Sequence, residues 1–504
     1  MKINNVIKAT RVIFISLLFF SCQKDFLNKN PLDMVSSETF WKTDADLKMA
    51  LAGCYDRLKG DGWAGFPENF QGGYLDGLTD IAYVYWSLFN ISDMSRGNIT
   101  PNSDLVGNYY RCCYRAISSC NYFLDNVDKV TTVAENQRGV YKGEVKFLRA
   151  LFYFDLVNVF GGVPLYKTLP VDAESSKIAK STKEELLAFV LEDLDFAISV
   201  LPDNAYTDGH AVKGSAMGIK TRVLLSQRKW ADAAALTQQI ISSGKFSIYN
   251  DYPNLFLNKG QTNNPEIMFS CKYLSPDWTG GYGYNIEYSA HIFLRKSFRD
   301  AFECTDGKPI SESPLYNAEN PFANRDPRFY YTIRLPGEEW PGFYLYDSFN
   351  PTGVMNRKYL DPTVSGSYND RTLNDWDFVL LRYADVLLMY AEAKNEASGP
   401  EASVYAAINQ VRSRPGVNMP PVDQSKYNNQ SSLRDYIRHE REIELGVEGR
   451  RYFDLKRWNI AHTFLPTVKD ADGNFLVFDQ KQYLWPFPQS ELDSNPKLVQ
   501  NPGY

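Results

Sequence analysis

This chain of 504 residues predicts a mainly α-helical fold: four helical hairpins stacked into a superhelical body, plus an irregular, loop-rich part carrying short strands. Three observations lead there. Apolar residues recur at helical spacing in segments that fall into pairs. A single hairpin cannot bury its own faces, so the pairs must stack on one another. Between 246 and 375 the periodicity gives way to Gly, Pro, Asn, Asp and aromatics, which read as loops and short strands.

Residues 1–21 carry Lys2, Lys8 and Arg11, no acid, and the apolar run VIFISLLFF. That run is too short to remain as a membrane-spanning helix and has the build of an export signal. Ser21 before Cys22 resembles the lipobox of bacterial lipoproteins, with Leu18 one place earlier than usual. On that reading Cys22 becomes the acylated N-terminus, and more than one acyl chain gives stable anchoring. An ordinary secretory signal beside a chance Cys is the alternative. The formal net charge of −6 argues against a nucleic-acid partner, whose phosphates demand a basic face.

The body is expected over 22–245. Thr43-Asp44 caps a helix running to about 60. The stretch 61–103 is rich in Gly, Asn, Asp and aromatics and reads as one long irregular segment, a length that in a compact domain marks function or disorder; its aromatics argue against disorder. Helices follow over 104–128 and 135–160, the second ended by Gly161-Gly162-Val163-Pro164. Ser181 or Thr182 with Glu184 and Glu185 opens the next, over 182–200. The clearest hairpin is 212–227 with 230–243, where Ala211, Gly214, Ala216 and Gly218 permit close helix approach. With its turn it has about the period of a tetratricopeptide unit.

The second half, 246–504, begins with the loop-rich insertion 246–375. A hairpin over 376–414 follows, starting as the strand-like run DFVLLR and stopped between its helices by Ser398-Gly399-Pro400. Its first helix is apolar nearly all round and belongs inside the protein. Beyond it, LRDYIRHEREIELGVEGRRYFDLKRW reads as one charged helix whose alternating signs pair within the helix and with neighbours. The proline-bearing tail YLWPFPQSELDSNPKLVQNPGY is expected to lie extended along the body.

No motif for metal or nucleophilic chemistry emerges. His210, His291, His439 and His462 are scattered, no Gly-rich loop ends in Lys-Ser or Lys-Thr, and no Gly-x-Ser-x-Gly elbow is present. Cys54, Cys112, Cys113, Cys120, Cys271 and Cys304 show no Cys-x-x-Cys spacing and read as buried thiols. No cofactor is expected. The aromatic loops are the better candidates: Tyr and Trp offer flat apolar area with a polar tip, suited to sugar rings when Asp, Asn and Arg stand nearby. Trp63, Trp86, Trp278, Tyr282, Tyr284 and Tyr288 lie in such surroundings. The same rings could instead pack the loops onto the body.

Over nearly the whole chain beyond the signal, the sequence resembles the SusD/RagB family. The segments that carry this are FWKTDADLKMALAGCYDRL, GEVKFLRALFYFDLVNVFGGVPL, IISSGKFSIY, NNPEIMFSCKY, NRDPRFYYTI, VLLRYADVLLMYAEAKNEA, REIELGVEGRRYFDLKRW and the closing tail. The resemblance implies a non-enzymatic, lipid-anchored protein at the outer-membrane surface. It would bind glycan and pass it to a SusC-like TonB-dependent transporter. A peptide-binding member of the family is the alternative, and a glycoside hydrolase on a helical scaffold a more distant one. It places ligand residues in 61–103 and 272–288, so the expected contacts are Trp63, Asp80, Trp86, Asn98, Trp278 and Tyr284, with Cys22 as the lipidated residue.

Overall fold

The structure is a computed structural model and describes residues 40–60, 73–84, 90–274, 292–335, 337–338, 353–361 and 375–504. Cys22, Trp63, Trp86, Trp278, Tyr284 and the extra rings Tyr282 and Tyr288 lie outside the described residues.

The expected helices form, within a few residues of their predicted ends. They run Asp44–Asp56, Asp104–Asn126, Glu135–Phe160, Lys183–Val200, Lys213–Ser226, Trp230–Ser243, Tyr383–Ser398 and Ala402–Arg412. Local chemistry fixes the ends. Thr43 caps the first in a box with Asp46, and Thr182 caps the fourth in a box with Glu185. Gly399, at φ 83°, ends Tyr383–Ser398 in a region of backbone space that favours Gly.

From Asp104 to Ser243 each helix packs on the next in the series. The first departs from simple pairing: Asp44–Asp56 lies on both Asp104–Asn126 and Glu135–Phe160. Trp230–Ser243 then packs on Tyr383–Ser398, so the fourth hairpin joins the stack although the whole insertion lies between. Gly214 and Gly218 earn their place here, because a Cβ on either would run into the Phe246 ring or the Leu381 side chain. Tyr383–Ser398 is buried almost all round, as its composition demands.

Two small antiparallel sheets brace the body. Ile267–Cys271 pairs with Phe378–Arg382, and both strands are wholly buried. The second sheet has the order Ala82–Val84, Ile292–Leu294, Met355–Asn356, Ile333–Arg334.

Three expectations need correction. Residues 73–84 and 90–103 are not one irregular loop: they hold the helical turns Gly73–Asp76 and Ile91–Ser95 and the strand Ala82–Val84, with Tyr74 and Tyr83 buried. The charged helix is two, Gln430–Leu445 and Arg451–Arg457, broken around Gly446 where a Cβ would meet the Phe298 ring. The tail is not wholly extended, since it forms the helix Gln489–Ser494. Around that helix Trp485 and Phe487 are buried; Trp485 Nε1 donates to Tyr452 Oη at 2.8 Å, and the Phe487 ring stacks on Phe160. The six described cysteines, Cys54, Cys112, Cys113, Cys120, Cys271 and Cys304, are buried, and none of them forms a disulfide.

Candidate functional site

The geometry around the expected ligand segments is set by where the chain leaves its framework. Val84, the last residue of its strand, is paired with Ile292, the first of the neighbouring strand. The chain therefore departs toward Trp86, and arrives from Trp278 and Tyr284, at one end of one strand pair. A second pair of stems meets nearby in sequence. Lys59 Nζ lies 5.2 Å from the centre of the Tyr273 ring, so the segment bearing Trp63 begins beside the segment bearing Trp278. Three segments selected for their aromatics thus share two junctions.

These junctions are rigid. The Arg295 guanidinium is buried and donates through Nε to Thr79 O at 2.8 Å and through Nη2 to Gly77 O at 3.4 Å. Burial pulls its pKa down to about 10. Arg295 N–H donates to Ile81 O at 2.9 Å, and Ser297 Oγ to Asp80 O at 2.9 Å. At the other junction Asp377 gathers Ser270 Oγ at 3.2 Å, Lys272 Nζ at 2.5 Å and Tyr273 N–H at 3.1 Å.

Asp80 does not face a ligand. It is 2 % exposed, and Arg451 takes both of its oxygens, Nε at 2.9 Å and Nη2 at 2.8 Å. The same Nη2 donates to Glu442 at 2.9 Å. The expectation that Asp80 contacts ligand is corrected: a carboxylate so buried and so paired positions the segment leading to Trp86. Burial, with the neighbouring Asp80 charge, pushes Glu442 up to about 8 against the pull of Arg451. Asp76, wholly buried, is likewise raised to about 8 by burial; its Oδ2 accepts from Gly449 N–H at 3.2 Å and its Oδ1 has no partner.

Asn98 is exposed, just beyond the turn made by Gly97 at φ 90°. Arg96, two residues earlier, reaches Asp470 at 3.0 Å and Asp472 at 2.5 Å. The exposure of Asn98 leaves it open to solvent, and nothing among the described contacts joins it to Asp80.

The alternating charges of 438–457 do not pair chiefly within their helix. Glu440 and Glu444 both accept from Arg328, at 2.5 and 2.9 Å, and Glu444 also accepts from Arg382 at 2.7 Å and Arg414 at 2.8 Å. Lys358 meets Glu448 at 2.6 Å, and Glu303 meets Arg412 at 2.9 Å. Burial alone would raise Glu444, yet Arg414, Arg382 and Arg328 hold it well below the usual carboxylate range. These pairs fasten the insertion to the helical body. No group of His, Cys, Asp and Glu able to hold a metal occurs among the described residues.

Two family models cover most of this architecture. The SusD family model matches residues 257–504, and a SusD-like model described as "Starch-binding associating with outer membrane" matches 25–225. The chain belongs to the SusD/RagB family. Among its SusD-family relatives, SusD-like protein P25 of Formosa agariphila is 28 % identical with both chains fully covered. The starch-binding protein SusD of Bacteroides thetaiotaomicron is 22 % identical, over 77 % of this chain and 76 % of that one. A crystal structure of a SusD-like carbohydrate-binding protein from Bacteroides fragilis superposes with a TM-score of 0.81 at 27 % identity, covering 92 % of this chain and all of the other. The SusD-like fold expected from the sequence is the fold observed.

Proposed function

We propose that this protein is a non-enzymatic glycan-binding lipoprotein of the outer-membrane surface. In this reading residues 1–21 direct export, acylated Cys22 anchors the chain, and bound oligosaccharide is handed to a SusC-like TonB-dependent transporter. The observation that carries the reading is the shared exit of the aromatic segments: Val84 opposite Ile292, and Lys59 over Tyr273. Rigid stems lower the ordering cost of a binding surface, and Trp63, Trp86, Trp278, Tyr284 and Asn98 are its proposed contacts. Asp80 acts behind them. Family membership and carbohydrate-binding relatives support the ligand class; the name of the outer-membrane family model supports the location.

The test is calorimetric titration of the full chain with starch, laminarin and a panel of plant and microbial polysaccharides, each mixture then chromatographed. Heat with intact polymer is the expected result. Cleaved polymer would overturn the non-enzymatic reading, and heat only with a parallel set of peptides would replace glycan as the ligand. Trp63→Ala, Trp86→Ala and Trp278→Ala should each weaken binding by about tenfold, since a stacked aromatic contact contributes on the order of 1–1.5 kcal/mol. Transport is tested separately: co-purification with a TonB-dependent barrel is expected, and its absence would sink the partner assignment.

A further inference from the structure

The helix Asp104–Asn126 borders a second concavity, built from residues other than the loop stems. It holds about 330 Å³ between this helix, the loop after Pro164 and the helix Gln489–Ser494, within the size range of ligand pockets. Its wall is aromatic and fixed. Tyr114 Oη donates to Pro164 O at 2.7 Å, and Tyr166 Oη to Ser176 O at 2.5 Å. With their hydroxyls committed to backbone, the two rings present faces and edges; they pack edge-on at 5.7 Å.

Polar groups stand around that wall. Glu491 lines the cavity, and its carboxylate meets no hydrogen-bond donor among the described residues. Burial raises its pKa above the ordinary value, so a donated hydrogen bond there would offset a desolvation cost the fold leaves standing. Arg111 is exposed at the rim; one guanidinium nitrogen donates to Asn108 Oδ1 at 2.6 Å, and the group has further N–H donors. Ser118 is exposed on the same side of the helix.

We propose that this cavity is a second binding site, taking one hydroxyl-rich sugar unit. The apolar face of the sugar lies on Tyr114 and Tyr166, its hydroxyls donate to Glu491, and Arg111 donates to a ring or hydroxyl oxygen. An apolar wall with a few convergent polar groups suits such a ligand. The ligand class rests on the glycan-binding reading; the site itself does not depend on the loops.

The experiment titrates the full chain with maltotriose, laminaritriose, cellotriose, xylotriose and chitotriose, with circular dichroism confirming the fold of each variant. Ser118→Trp fills the cavity from an exposed helix position. Glu491→Gln keeps the shape and removes the charge. A combined Trp63→Ala, Trp86→Ala, Trp278→Ala and Tyr284→Ala variant disables the loops. We expect at least one trisaccharide to bind the wild type and the loop variant alike, to lose about tenfold or more in affinity for S118W, and to weaken several-fold for E491Q. Unchanged binding to S118W overturns the site, as does silence of the wild type toward all five sugars. Unchanged binding to E491Q overturns the role given to that carboxylate. Loss of every sugar in the loop variant with S118W unaffected overturns the cavity and leaves the loop reading standing; the polysaccharide titrations of the single loop variants test the loops separately.

Discussion

Arg451 grips Asp80 at two points, 2.9 and 2.8 Å, and spends a third contact on Glu442. One guanidinium thus ties the segment ahead of Trp86 to the helix Gln430–Leu445. Removing one partner of a buried pair leaves the other charge uncompensated, at a cost of about 3–5 kcal/mol. Asp80→Ala should therefore lower the urea midpoint strongly. A D80A variant as stable as wild type that fails to bind glycan would return Asp80 to the ligand.

Glu444 accepts from Arg328, Arg382 and Arg414. Glu444→Gln keeps the shape and strands three guanidinium groups without their shared charge. A loss of several kcal/mol is expected, of the order seen for broken buried pairs. Because the site is buried, raising NaCl should change that loss little; a strongly salt-dependent effect would show that the network is open to solvent.

Asp76 gives a pH dependence with a definite sign. Its folded pKa, raised to about 8 by burial, stands above the ordinary 3.8. Between those values the unfolded chain has released the proton and the folded chain keeps it, so stability falls as pH rises from about 4 to about 8, at up to about 1.4 kcal/mol per pH unit. Asp76→Asn should flatten the curve of unfolding free energy over that window. A slope unchanged from wild type would mean that Asp76 is ionised in the fold.

Two glycines make an opposed pair. At Gly218 a Cβ would collide with the Leu381 side chain, whereas at Gly53 it would meet nothing within 4 Å. Gly218→Ala should cost about 1–3 kcal/mol of overpacking, only partly offset by the better helix former. Gly53→Ala, within Asp44–Asp56, should add about 0.5–1 kcal/mol. Thermal unfolding of the two variants checks both, and a stabilised G218A would refute the close helix–strand approach.

Much of the body is legible because its signals are local. The Thr43 and Thr182 boxes, the stop at Gly399 and the apolar stripe of Glu135–Phe160 depend on residues a few places apart. The charged run misleads for the opposite reason. Carboxylates at 440, 444 and 448 read as pairing within the helix as well as with neighbours, and only Arg328, Lys358, Arg382, Arg412 and Arg414, from other parts of the chain, show that the neighbours take most of them. Asp80 reads as a ligand contact until Arg451, far along the chain, is seen to occupy it. The Glu491 cavity leaves no trace in the sequence, since its walls come from three distant stretches. The spacing of Tyr110 and Tyr114, one helical turn apart, marks a face but not what lies across it.

The contact between Trp230–Ser243 and Tyr383–Ser398 also imposes a delay. The earlier helix packs on Lys213–Ser226 at once, but the side that meets Tyr383–Ser398 is uncovered until about 140 further residues have followed it. That interval lasts as long as the exported chain takes to deliver those residues and dock them. During it, a half-finished stack exposes a sticky end, the kind of surface that chaperones shield and that aggregates when they are scarce. The insertion carrying part of the proposed binding surface therefore sets a waiting time in the birth of the fold.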